Sequence, residues 1–432
     1  MSLFAYRRDR LRFLSELRNH VGDFAPFKLG PKQLYLVSHP DDILWVQTKN
    51  AKNYHKATNL GLVLGRGVLT SEGEFWRRHR KLIQPLFHQQ HIYSLIPLMN
   101  EKIRLCLDGV HDTVKISAVV MKLAYEVVAE SLFGTSLNAH FDELHLVMNY
   151  LNEFLTQKLH QIIPIPLSFP LPSHLKFVRM KNRLNEIMDQ LIEEKKELIK
   201  NGKAGKDILS LLISARDDET GEGIDAQQIR DEAITLLLAG HETTGHTLTW
   251  IIYVLATQPD IQKKVQAEVD QVLAGQAPGV DHLPRLTYLS QVIDETLRLY
   301  PSVWAWTRKS LETDQVHGST LSPGSILLIS PYITHRHPDF WERPNEFNPE
   351  RFKEPLNEKQ KGAYFPFGLG PRQCIGKYFA LMEIKLAISQ LVQRFSMEAT
   401  EKAPAILDPR VTMGIKGGLK VNLTPRTKGP LN

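Results

Sequence analysis

Apolar positions along this chain fall mostly into the i, i+3, i+4, i+7 spacing of helices that bury one face, and only briefly into strand-like alternation. The first such stripe sets Leu11, Leu14, Leu17 and Val21 among Arg7, Arg8, Arg10, Arg12 and Arg18, and predicts an amphipathic N-terminal helix within residues 1–24. Phe27 to Leu29 and Leu34 to Val37 flank a Gly30-Pro31 turn and read as short strands. A helix then begins near Pro40, and strand signals return at Ile326 to Ile329. From Tyr54 to Gly73 the chain is irregular and apolar, with Leu60, Leu62, Val63 and Leu64 between glycines. The longest helical pattern covers residues 225–258, opened by Asp225 with Gln228 as a capping pair and stopped by Pro259. Another runs from Thr287 to Leu299, ahead of Pro301. Between Asn149 and Pro172 a helix gives way to a proline-broken apolar run containing Ile162, Ile163, Pro164, Ile165 and Phe169, which reads equally as a mobile greasy lid or a packed surface loop. The expected fold class is mainly α with a small β-sheet region.

Composition narrows the class without changing this picture. The 432 residues are 42% hydrophobic and 23% charged, as in an ordinary soluble globular protein. No linker, low-complexity tract or repeat marks a boundary, so the chain reads as one domain, residues 1–432. Its two cysteines, Cys106 and Cys374, form no disulfide framework and suit a reducing, cytoplasmic setting; Cys106, in an apolar run, reads as an inert buried thiol. No segment approaches the roughly 18 to 20 apolar residues of a spanning helix. The N-terminal helix suits either a place on the body of the protein or peripheral contact with an anionic membrane. The net charge of +6 lacks the aromatic interleaving of a nucleic-acid surface.

Candidate chemistry concentrates in two places. Phe365 to Phe379 carries Cys374 among Gly368, Gly370 and Gly376, with Arg372 two residues earlier and an apolar helical pattern following, loop and helix together spanning residues 365–394. A cysteine at a helix start meets the positive end of the helix dipole, which favours the thiolate, a soft metal ligand. Gly370 and Gly376 permit close backbone approach, Phe367 offers an aromatic wall, and Arg372 a cation for a carboxylate. The second place is the middle of the long helix, Ala239-Gly240-His241-Glu242-Thr243-Thr244-Gly245. Two glycines and a carboxylate in an apolar helix break several local rules at one point, as functional sites do. The glycines at 61, 65 and 67 are followed by no Gly-Lys-Ser/Thr, which rejects a phosphate cradle.

At the cysteine segment the chain resembles the cytochrome P450 superfamily, whose pattern Phe-Gly-x-Gly-x-Arg-x-Cys-x-Gly is matched from Phe367 to Gly376. The long helix matches its Ala/Gly-Gly-x-Asp/Glu-Thr-Thr/Ser pattern, and Trp76 with Arg80 its Trp-x-x-x-Arg. The resemblance implies a triangular fold built around the long helix, and haem b with Cys374 as axial thiolate. It puts Phe367, Arg372 and Gly376 in the haem loop and Trp76, Arg80, Arg308 and Arg372 on the propionates. Gly240 is expected against the haem face, with Glu242 and Thr243 delivering protons for O₂ activation, a role suited to a hydroxyl backed by an acid. Glu295, Arg298 and Arg351 are expected as a buried structural network. Leu62, Val63, Leu236, Ala239, Gly240, Trp304 and Met413 are candidates for a pocket taking a lipophilic substrate, with one of Trp304 and Trp306 expected in the core. His335-Arg336-His337 departs from relatives, many of which carry Asp where His337 stands; a metal site there lacks ligands at suitable spacing.

The implied reaction inserts one atom of O₂ into a C–H or C=C bond. Electrons would come from a separate ferredoxin- or flavodoxin-type donor with its reductase, and Arg77, Arg78, Lys81 and Lys377 are candidate contacts for it. A peroxide-driven haem enzyme and a non-catalytic haem-thiolate sensor are the alternatives; the acid–threonine pair counts against both.

Overall fold

The computed structural model describes residues 3–57, 60–134, 141–159, 165–203, 205, 207–216, 221–401 and 403–426. In chain order the helices are α1 (Leu3–Arg8), α2 (Arg10–Val21), α3 (Pro40–Leu44), α4 (Gly61–Leu64), α5 (Gly73–Ile83), α6 (Gln89–Ser94), α7 (Ile96–Asp108), α8 (Ile116–Phe133) and α9 (Phe141–Leu159). They continue with α10 (Pro172–Lys200), α11 (Ile208–Ser214), α12 (Ala226–Thr257), α13 (Pro259–Leu273), α14 (Thr287–Leu299), α15 (Pro331–Thr334), α16 (Glu358–Gly362) and α17 (Lys377–Arg394). The strands are β1 (Phe24–Leu29), β2 (Lys32–Val37), β3 (Tyr54–Lys56), β4 (Thr113–Val114), β5 (Trp306–Ser310), β6 (Asp314–Val316), β7 (Ser319–Leu321), β8 (Ile326–Ile329), β9 (Phe395–Ala399), β10 (Leu407–Pro409), β11 (Met413–Ile415) and β12 (Val421–Pro425). The chain is thus mainly helical with small sheets, as its periodicity predicts. It forms two compact units, one of residues Met1–His55, Ile92–Ala124 and Glu242–Asn432, the other of Lys56–His91 and Tyr125–His241.

In the first unit the strand order is β1-β2-β8-β5-β3. Gly30, at φ 59°, closes the antiparallel β1–β2 hairpin, a left-handed conformation that favours glycine. β2 then runs parallel to β8, with Leu34 opposite Ile326 and Val37 opposite Ile329. Alternation along these strands splits the sheet's side chains between two clusters. Leu34, Leu36 and Leu328 pack with Leu11, Phe13, Leu14 and Leu17 of α2. Val37, Leu327 and Ile329 pack with Ile43, Val46 and Phe365.

That packing selects, of the two readings of the N-terminal segment, a helix laid on the body of the protein, and it shortens the helix. The helix breaks at Asp9, whose carboxylate accepts the Arg12 N–H at 3.0 Å and caps α2. It ends at Val21, and the chain is a strand by Phe24. Its apolar stripe is core, so those leucines are not free to enter a membrane; only Val21, 52% exposed, stays outside. Among the described residues no helix is long and apolar enough to cross a membrane.

In the second unit α9 and α10 lie together, with Phe154 stacked on Phe177 at 4.3 Å between ring centres. The turn after α4 is clasped to the first half of α12: the Arg66 N–H donates to Asp231 Oδ2 at 2.8 Å, and His79 of α5 meets Glu232 at 3.1 Å, both side chains buried. Of the proline-broken run, Ile162, Ile163 and Pro164 lie outside the described residues; Ile165 and Phe169 are exposed.

Candidate active site

α12 is buried around most of its circumference, including Leu237, His241, Thr244 and Leu248. Leu236, Ala239, Gly240, Thr243 and His246, at helical spacing, form a stripe of lower burial, with Ala239 exposed. Among the described residues, the candidate chemistry therefore sits on or beside the least buried side of the helix.

The two glycines are explained by α8. A Cβ at Gly240 would lie 2.9 Å from Val128 Cγ2, and one at Gly245 would lie 3.2 Å from the Met121 Cα. A side chain at Gly240 would therefore be turned towards α8, while Ala239 beside it is exposed. Close helix approach, which needs small residues at the contact, accounts for both glycines.

Glu242 lies beside this stripe. Its Oε2 accepts a hydrogen bond from Thr412 Oγ1 at 3.0 Å. Burial pushes its pKa up to about 6, against the opposing pull of the Thr412 bond and the Arg410 charge. The Thr243 carbonyl accepts from Ser302 Oγ at 2.9 Å and Thr247 Oγ1 at 2.8 Å, and those two hydroxyls are 2.8 Å apart. Back-bonding on α12 includes that of Thr247, of Thr249 to the Gly245 carbonyl at 2.7 Å and of Thr257 to the Tyr253 carbonyl at 2.7 Å. The Met413 N–H reaches the Ser302 carbonyl at 2.8 Å, and Trp250 Nε1 donates to the Met413 carbonyl at 3.2 Å. The second half of α12, the Ser302 turn and the β10–β11 hairpin are in this way tied together around the acid and the threonine.

Trp304 and Met413 were expected on a pocket wall. Both instead belong to the cluster that α2 covers, where Trp304 Nε1 donates to the Arg410 carbonyl at 2.9 Å. Trp306, two residues on, packs partly buried against the other cluster, so both tryptophans serve the sheet's cores. Val63 is buried at 2% exposure and Leu62 half-buried.

The cysteine loop is held at both ends. The Cys374 N–H donates to the Phe367 carbonyl at 2.8 Å and the Gln373 N–H to the Gly370 carbonyl at 3.0 Å, and the Cys374 side chain is exposed. Gly370, at φ 66°, abuts the Gln47 carbonyl, so neither its conformation nor its surroundings admit a side chain. At the loop's start the Phe365 N–H donates to His335 Nε2 at 3.0 Å, while His335 Nδ1 donates to the Arg298 carbonyl at 3.2 Å. Accepting the Phe365 N–H requires the neutral ring, and burial pushes the His335 pKa down to about 3. Arg298 forks onto Glu295 at 2.6 and 2.8 Å, both side chains fully buried. Arg351 Nε is 3.4 Å from Glu295 Oε1, so the three residues expected as a network lie together.

Arg308 is buried on β5, and Arg372, Phe367 and Gly376 are half-buried around the loop. No protein atom would lie within 4 Å of a Cβ at Gly376, so packing against the protein does not demand glycine there. In the second unit Trp76 and Arg80 share one half-buried face of α5. Of the donor-contact candidates, Arg77 pairs with Glu74 and Arg78 with Glu222, Lys81 is exposed, and Lys377 is set 5.9 Å over the Phe367 ring. Cys106 is half-buried, not fully buried as its apolar run suggested, and lines a small apolar cavity with Leu107, Ile116 and Leu248.

Sequence reasoning missed Thr412, Ser302 and the bridging role of His335. Thr412 is 170 positions from Glu242, and its only local signal is one hydroxyl inside the apolar run Val411 to Ile415.

A sequence model of the family described as Cytochrome P450 matches residues 1–420. The chain is 35% identical over 419 residues to cyclooctatin synthase of Streptomyces melanosporofaciens, across 95% of this chain and 90% of that protein. It is 32% identical to cyclooctat-9-en-7-ol 5-monooxygenase of the same organism, across 90% and 85%. To pentalenene oxygenase of Streptomyces avermitilis it is 29% identical, across 98% and 94%.

Proposed function

This chain belongs to the cytochrome P450 family and is a haem-thiolate monooxygenase, and we propose that Cys374 holds the haem iron, Arg372 and Arg308 its propionates, and Glu242 with Thr243 the protons. The haem is taken to be haem b, and when bound it supplies oxygen activation for insertion of one atom of O₂ into the substrate.

The chain's own residues fit that group. Cys374 presents its side chain outward from a loop whose backbone bonds are met within the protein, and the glycine two residues on is not required by protein packing. Sulfur is a soft ligand suited to iron, and the N-terminal end of α17 favours its ionised form. His335, by accepting the Phe365 N–H, and the Arg298–Glu295 pair behind it fix the loop that carries the sulfur. For Trp76 and Arg80 the propionate role rests on the motif match alone. The single observation that carries the proton role is the Glu242–Thr412 contact beside Thr243 on the open side of α12. A carboxyl with a pKa near 6 both holds and yields a proton at neutral pH.

The substrate proposed is a lipophilic molecule, terpenoid in character; relatives are named for cyclooctat-9-en-7-ol and pentalenene. Leu236 and Ala239 on the open stripe suit an apolar surface against it. Electrons come from a separate donor, for which a ferredoxin- or flavodoxin-type protein with its reductase is proposed. The deciding experiment is the carbon monoxide difference spectrum of the reduced protein. The band of sulfur-ligated haem is expected in the wild type and lost in Cys374→Ala; its persistence in that variant would refute the assignment. Substrate class follows from titrating terpenoids against the ferric spectrum.

A further inference from the structure

The β10–β11 hairpin meets α12 at three successive residues. Thr412 Oγ1 donates to Glu242, Met413 takes the indole N–H of Trp250 on its carbonyl, and Gly414 comes so close that a Cβ there would lie 2.8 Å from His246 Nδ1. Hairpin register holds the three in place, with Asp408 opposite Gly414 and Pro409 opposite Met413. Thr412 itself is buried at 8% exposure. The turn beyond it opens to solvent, where Arg410 Nε pairs with Asp408 at 2.8 Å and the Arg410 side chain is 63% exposed. The Thr412 hydroxyl therefore links the Glu242 carboxyl to a hairpin whose turn is exposed.

We propose that Thr412 is the positioning residue that orients the Glu242 carboxyl for proton transfer, and that the β10–β11 turn is where Glu242 regains its proton from solvent. This rests on the reading of Glu242 as the relay acid. When Glu242 yields its proton towards Thr243, a carboxylate is left behind in a poorly solvated place. The Thr412 O–H donates to that carboxylate, and the Arg410 guanidinium favours it through space. A proton from bulk water, whose hydroxide is taken up by buffer, then restores the acid. Among the described residues, the groups near this point include Asp408, which tempers Arg410, Arg10, whose guanidinium donates to the Pro409 carbonyl and meets the field of Asp408, and His246, one turn along α12 from Glu242.

The test compares the wild-type holoenzyme with Thr412→Val, Thr412→Ser and Glu242→Gln. The infrared carbonyl band of protonated Glu242, identified by its loss in Glu242→Gln, is titrated without substrate. In Thr412→Val the midpoint is expected to rise by about one pH unit or more, because the carboxylate loses a donor; Thr412→Ser returns it towards wild type. Product formed per O₂ consumed falls several-fold in Thr412→Val, with hydrogen peroxide released in its place, and recovers in Thr412→Ser. An unmoved midpoint with unchanged coupling in Thr412→Val overturns the proposal, as does failure of serine to restore either. If Glu242→Gln keeps full coupling, the relay reading and this proposal fall together. If Glu242→Gln uncouples and Thr412→Val does not, only the role of Thr412 falls.

Discussion

Glu242 is the residue at which burial and chemistry oppose each other most directly. Its carboxyl titrates near 6 instead of its ordinary 4.5 because desolvation penalises the charged form. The folded protein thus holds this proton more tightly than the unfolded chain. The stability so contributed is complete below the unfolded value, and is lost as pH rises through about 6. The loss amounts to about 2 kcal/mol once ionisation is complete. Denaturant unfolding at pH 4 and pH 8 should show Glu242→Gln gaining on the wild type by about that amount at the higher pH only. Turnover by the same variant should fall on the order of a hundredfold or more, measured as product formed under saturating donor. His335 shows the opposite case. Its ring stays neutral because one nitrogen must accept from Phe365 and the other must donate to the Arg298 carbonyl. A histidine kept uncharged serves here as a rigid spacer between α14 and the cysteine loop.

At the scale of elements, α12 and α8 show how a helix is thinned for its neighbour. Alanine at position 245 gains about 1 kcal/mol of helix propensity over glycine. It also sets a Cβ 3.2 Å from the backbone of Met121, where α8 itself must move. At position 240 the opposing atoms are the methyl groups of Val128, which are not backbone. Overpacking typically costs about 1–3 kcal/mol. Gly245→Ala should therefore be the more destabilising of the two, by about 1–2 kcal/mol in chemical denaturation, with Gly240→Ala near neutral. Much of this element-level architecture was legible beforehand, because helix length, proline stops and strand alternation are local. The long helix lies within one residue of its expected ends, and α14 begins and ends at Thr287 and Leu299 as its periodicity predicts. The direction a glycine faces was not legible, since it depends on which helix comes to lie beside it. Nor was the partner of Glu242, a hydroxyl 170 positions away that only the folded chain brings near. The surroundings of Trp304 and Trp306 were not legible for the same reason: an extended segment alternates, but the sequence does not tell which layer each side meets.

At the scale of the whole molecule, a monooxygenase with a separate electron donor depends on an encounter that charge can steer. The chain is basic, with a net charge of +6. Several of its arginines are already engaged by carboxylates of the same chain, as Arg77 is by Glu74 and Arg78 by Glu222. Lys81, which is exposed, and Lys377, half-buried beside the cysteine loop, are the lysines among the candidates for contact with an acidic donor. Donor-supported turnover should decline as salt is raised from about 50 to 500 mM, because the Debye length shrinks over that range. Lys81→Glu should flatten the decline, and turnover indifferent to salt in the wild type would leave steering with no part. The N-terminal helix reaches the same region by another route. Arg10 Nη1 donates to the Pro409 carbonyl at 2.9 Å, and Leu14 and Leu17 share a core with Met413, the neighbour of Thr412. Trimming the first two dozen residues to ease expression would uncover that methionine and slacken the hairpin beneath it. What looks at the bench like a disposable leader is a wedge behind the proton-handling side of the enzyme.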